Sequence, residues 1–96
     1  LRCKSGITRI DIKALEYCEV IHRTLIFHLN TGKVLESAGS MDELVKQLST
    51  YPFFHRPHRS YLVNLEYVQN ITFRGITMSS LAEIPVPRFQ NRQVMI

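Results

Sequence analysis

The chain has 96 residues, 45% hydrophobic and 21% charged, a size and composition that build one domain around one modest core and exclude wholesale disorder. No apolar run nears the roughly 20 residues that a membrane-spanning helix needs. Twelve Lys and Arg against eight Asp and Glu give a net charge of +4, which suits a polyanionic partner.

Arginines outnumber lysines by eight to four, and the guanidinium fork grips phosphates and guanine edges with two parallel bonds. The charge is uneven. Residues 1–49 carry seven basic and six acidic side chains, and residues 50–96 carry five and two. The start, Leu1-Arg2-Cys3-Lys4-Ser5-Gly6, has no signal-peptide h-region and no initiator Met, so residues 1–96 are expected to be one excised domain.

Taken in chain order, residues 7–12 and 14–21 predict one or two strands. Over residues 24–30, Leu25, Phe27 and Leu29 alternate onto one face, as a strand requires. Thr31-Gly32 supplies a turn, and residues 33–37 return as the partner strand. Ser40-Met41-Asp42-Glu43 then reads as a capping box, in which Ser40 and Glu43 satisfy each other's free amides. Behind it, Met41, Leu44, Val45 and Leu48 form one apolar stripe, predicting a helix over about residues 41–49 that Tyr51-Pro52 stops.

Residues 53–65 form the most informative block. Two phenylalanines anchor it, and His55, Arg56, His58 and Arg59 crowd around Pro57. Ser60 is expected to cap a short turn over residues 61–64, with Leu62 and Val63 tucked inward and Arg59 held outward on a rigid corner. A second hairpin is predicted from residues 67–73 through Arg74-Gly75 into 76–79, with Gly75 at a positive φ. Residues 83–86 read as a short strand that Pro85 confines to a sheet edge.

Enzyme constellations are missing from this pattern. There is no G-x-S-x-G context, no pair of inward carboxylates and no glycine-rich phosphate loop among the four glycines. No catalysis and no cofactor are expected. His55 and His58 have ligand-like spacing, but Pro57 extends the segment and splays the rings, and no third ligand stands near, so no metal is expected. Cys18 reads as a small buried hydrophobe, and Cys3 and Cys18 are expected to be thiols.

Phe54-x-Arg56-x-His58-Arg59-Ser60-Tyr61-Leu62-Val63-Asn64-Leu65, followed by Val68 and Ile71, resembles the signature of the LytTR family. Ile84-Pro85-Val86-Pro87-Arg88 is similar to that family's I-P-V-S-R end, and Ser40-Met41-x-x-Leu44 to its S-L-x-x-L helix. Ile12-x-x-Leu15-Glu16 also fits, so the resemblance spans nearly the whole chain in order. LytTR domains are the DNA-binding halves of bacterial response regulators of the LytR/AlgR/AgrA type. The resemblance therefore implies a mostly β fold: an elongated β-β-β arrangement of small antiparallel sheets with one short helix.

It further implies a cytoplasmic effector domain that binds double-stranded DNA sequence-specifically, with loops rather than a helix entering successive major grooves. Repeated half-sites and a homodimer formed through an N-terminal receiver domain outside this chain belong to the same expectation. By position, the DNA-contacting residues are His22 and Arg23 in one loop, Arg59 on its corner and Arg88 after the last strand, with Asn91 and Arg92 reaching phosphates and Arg56 at a phosphate or in a surface ion pair. Pro57 and Pro87 depart from the family pattern beside Arg59 and Arg88. The rival from another class is a β-rich protein-interaction or ligand-sensing module with an incidental basic surface. Placement decides between them: DNA binding needs Arg23, Arg59 and Arg88 on one face.

Overall fold

The computed structural model describes residues 9–86 and the backbone of Arg2–Cys3 (β1) and Gly6–Ile7 (β2). Arg88, Asn91, Arg92, Pro87 and the Cys3 side chain lie outside the described residues. The fold is mostly antiparallel β with one short helix, and the molecule measures 39 × 25 × 24 Å, elongated as expected.

Its centre is a five-stranded sheet in the order β5-β4-β3-β7-β6. These strands are β3 (Leu15–Ile21), β4 (Thr24–Leu29), β5 (Val34–Ala38), β6 (Phe54–His58) and β7 (Tyr61–Asn64). Successive residues on the central strand β3 point to opposite faces, and both faces are covered. On one face Cys18, Leu25, Phe27 and Leu62 meet Met41 and Leu44 of the helix α1 (Met41–Gln47) and Leu48 at its C-cap. On the other, Val63, with Tyr17 and Tyr61, packs against Ile76, Met78, Ile84 and Val86. Those come from a second antiparallel sheet of β8 (Val68–Thr72), β9 (Gly75–Met78) and β10 (Glu83–Pro85), and from Val86 just beyond it.

The result is a helix, a sheet and a sheet in three layers. Each large apolar side chain taken fully out of water contributes about 1.5–3 kcal/mol. β1 and β2 form a third, two-stranded sheet.

The helix starts where the capping box predicts: Ser40 Oγ accepts the Glu43 N–H at 3.2 Å. It ends at Gln47, with Leu48 as its C-cap, slightly short of the expected 49. Pro85 stands in the edge strand β10.

Three elements differ from the sequence reading. Residues 61–64 are a strand, not a turn capped by Ser60. The capping residue of this region is Asn64, whose Oδ1 accepts the Glu66 N–H at 2.9 Å and starts a single 3-10 turn over Leu65–Tyr67. The strand expected over residues 7–12 is reduced to Ile7 at the end of β2: residues 9–11 are irregular, Ile12–Ala14 form a 3-10 turn capped by Asp11, and β3 opens only at Leu15. The second hairpin turns on Phe73-Arg74, since Thr72 already pairs with Gly75 inside the ladder. Gly75 does have a positive φ, +156°, and its necessity is spatial: a Cβ there would lie 2.4 Å from the Ile84 carbonyl oxygen.

Polar contacts lock the layers at the end of the central sheet where β3 begins. The buried Asn64 donates from Nδ2 to the Leu15 carbonyl at 3.0 Å. Tyr67 Oη donates to the Lys13 carbonyl at 2.9 Å and accepts from Asn30 Nδ2 at 2.8 Å. The buried Glu16 carboxylate takes both the N–H and the hydroxyl of Ser80, tying the β9–β10 turn down. The opposite end of the sheet carries no such clamp among these bonds, and there the cationic turns project.

Candidate nucleic-acid interface

β3 runs out at Ile21 and returns as β4 from Thr24, with Ile21 and Thr24 paired across the ladder. His22 and Arg23 are therefore a two-residue hairpin turn. Their φ values are +48° and +64°, the combination of a type I′ turn. That turn matches the natural twist of a hairpin, but it favours Asn-Gly, and a residue with a Cβ pays about 1–2 kcal/mol for the left-handed region. Two ordinary side chains are thus held in a costly conformation, both exposed.

His22→Asn combined with Arg23→Gly is expected to raise stability by about 1–2 kcal/mol while weakening any ligand held by this turn. Thermal melting checks the first half, and an unchanged melt would remove the strain from the account.

The second turn joins β6 to β7. His58 pairs with Tyr61, leaving Arg59 and Ser60 as the turn residues, with Arg59 exposed. Three bonds reach its backbone from three directions. Ser60 N–H donates to His58 Nδ1 at 3.0 Å, Val20 N–H donates to the Ser60 carbonyl at 3.0 Å, and Arg56 Nη2 donates to the Arg59 carbonyl at 2.8 Å. The His58 ring also meets Tyr61 edge-on at 5.6 Å. Pro57 is buried beneath, and the ladder is irregular between His55 and His58. The corner expected around Arg59 exists, although strands build it on both sides.

The Val20–Ser60 bond makes the two turns neighbours, because β3 pairs directly with β7. Arg23 and Arg59 project from the same end of one sheet. The start of α1 lies there too: Thr24 pairs with Ala38, and Gly39 N–H donates to the Arg23 carbonyl at 3.0 Å just before the Ser40 cap. β10 runs antiparallel to β9, and the described chain ends at Val86, just past the pairing of Pro85 with Gly75. Arg88, Asn91 and Arg92 lie outside the described residues.

Arg56, expected at a phosphate or in a surface ion pair, forms the ion pair. Its Nη1 meets Asp42 Oδ1 at 2.6 Å, and its Nε is buried without a partner. Three other titratable groups are engaged or buried within the fold. His28 stacks on Tyr17 with ring centres 4.2 Å apart and donates from Nε2 to Glu19 at 2.7 Å. Burial pushes the Cys18 thiol up to about 12, and it is free. Burial also lowers the pKa of His55. Among the described residues no three His, Cys, Asp or Glu side chains gather as a metal site would need, and no helix is long and apolar enough to cross a membrane.

The family model of the LytTr DNA-binding domain matches residues 5–95. The chain belongs to the LytTR family. It is 40% identical to the sensory transduction protein LytT of Oceanobacillus iheyensis, over 81% of this chain and 33% of that protein, so it spans a third of that relative's length. The fold is similar to that of a solved chain described as the LytTr DNA-binding domain of a methyl-accepting/DNA response regulator from Bacillus cereus. That match has a TM-score of 0.78 at 19% identity and covers 98% of this chain and 89% of the other.

Within this LytTR domain, sequence reasoning missed Asp42 and Ile21. Asp42 read only as a helix-start residue, and its bond to Arg56 crosses 14 positions that no local pattern links. Ile21 is 47% exposed immediately before the His22-Arg23 turn, an apolar surface beside two cations. Its place in the β3 pattern gave no sign of that exposure.

Proposed function

We propose that this LytTR domain binds double-stranded DNA sequence-specifically, as the effector of a bacterial transcriptional response regulator working in the cytoplasm. The observation that carries the reading is the pair of adjoining hairpin turns, each with an exposed arginine, on one end of a sheet packed on both faces. Held side chains of this kind suit base reading, because a pre-aimed guanidinium loses little freedom on contact and forks onto a guanine edge. The domain needs no cofactor for this and performs no catalysis.

The turns' separation refines the expected docking. Hairpins on adjoining strand pairs are two strand spacings apart, about 10 Å. Successive major grooves are a helical turn apart, about 34 Å. Arg23 and Arg59 therefore share one groove or straddle its edge, and a second groove is left to the segment holding Arg88, Asn91 and Arg92. Repeated half-sites would be filled by two copies joined through a receiver domain outside this chain.

Selection from a random duplex pool, followed by titration at several salt concentrations, tests the reading. A defined sequence should emerge, and neutralising about four to six phosphates should give a log–log salt slope of roughly −4 to −5. No enriched sequence, or an affinity indifferent to salt, overturns it.

A further inference from the structure

We infer that Arg56 is a positioning residue for Arg59 rather than a phosphate contact, an inference that rests on the DNA reading above. Every nitrogen of its guanidinium is engaged or enclosed. Nη1 is spent on Asp42, Nη2 on the main-chain carbonyl of Arg59, and Nε is buried. A cation already paired with a carboxylate at 2.6 Å has little charge left to offer a phosphate.

Nor does the pair serve stability to any extent. The Asp42 side chain is 79% exposed and that of Arg56 31%, and ion pairs this open add little to folding. What the arrangement does achieve is geometric. Asp42 lies in the first turn of α1, whose place is fixed by Met41 and Leu44 in the core. Asp42 holds one arm of the fork, and the other arm grips the reading turn at its tip. Without that grip the turn keeps the Ser60 bonds to His58 and Val20, so it still forms. The Arg59–Ser60 peptide, however, is then held only through its Ser60 N–H, and with its carbonyl end released the angle at which the Arg59 side chain leaves the backbone is less tightly set. The fork itself is required, because a lysine ammonium cannot present two parallel donors to two separate acceptors.

The test uses the intact chain with its selected duplex and a scrambled one. Arg56→Ala, Arg56→Lys and Asp42→Asn should each lower the ratio of selected to scrambled affinity by about five- to tenfold, the lower part of what one bidentate base contact supplies. Scrambled affinity and the salt slope should hold. In an Arg59→Ala background, Arg56→Lys should change nothing further, since its effect passes through Arg59. The inference is overturned if Arg56→Lys matches wild type while Arg56→Ala weakens both duplexes equally and flattens the slope by about 1, the signature of a phosphate contact. It is equally overturned if Asp42→Asn strengthens both duplexes by freeing a cation. A wild-type chain without any sequence preference instead sinks the functional reading beneath it.

Discussion

Arg59→Ala should cost about 1–3 kcal/mol of affinity for the selected duplex, roughly a 5- to 150-fold loss, with much less lost on scrambled DNA. The asymmetry follows from the turn. The side chain is exposed, and the three bonds that fix the turn involve only the main chain of Arg59 and Ser60, so truncation leaves the backbone in place. What disappears is the fork alone. Arg59→Lys should recover part of the attraction to DNA and little of the discrimination, because a point charge cannot address two acceptors on one base edge. Paired titrations at one salt concentration give the answer. Equal losses on both duplexes would reduce Arg59 to a phosphate contact, and no loss would remove it from the interface.

The largest stability effect belongs to Phe27. Its ring is wholly buried on β4, between the central sheet and α1. Truncation to alanine removes that burial and leaves a cavity, which together cost about 3–5 kcal/mol. A domain of this size holds about 5–15 kcal/mol in total. At about 4–8 °C per kcal/mol, the melting temperature should fall by at least about 12 °C. Below the new transition, the preference for selected over scrambled duplex should persist, since Phe27 bonds to neither turn. A fall of only a few degrees would mean that α1 closes over the vacancy. Lost discrimination in the folded variant would mean that this core steers the turns.

Strand β4 and the helix were legible because their patterns are one-sided. Met41, Leu44 and Leu48 face the core from a helix whose other side is wet, and Leu25 and Phe27 alternate with less buried neighbours. β7 escaped for the opposite reason. Leu62 and Val63 are consecutive and both buried, one in each core, and a strand covered on both faces shows a continuous apolar run instead of alternation.

The His22-Arg23 turn was placed by resemblance and not by its residues, which lack the Asn or Gly that normally announces a type I′ turn. Arg59 was found from its crowded local context. For Arg56 the ion-pair role was foreseen but its partner was not, because Asp42 is brought near only by the packing of α1.

The bond from Val20 to Ser60 has a consequence for the DNA rather than the protein. The backbones of two adjoining hairpin turns stand at a distance set by hydrogen-bonded strand pitch, about 10 Å, which equals roughly three base-pair steps of 3.4 Å. A paired ladder does not stretch. Inserting one base pair between the positions met by Arg23 and Arg59 would move one of them by a full step and rotate it around the helix axis, beyond what either turn can follow. Within a half-site, then, the interval between the two read positions should be invariant among selected sequences. Were two copies to bind repeated half-sites as proposed, the interval between those half-sites would carry no such restriction from this sheet.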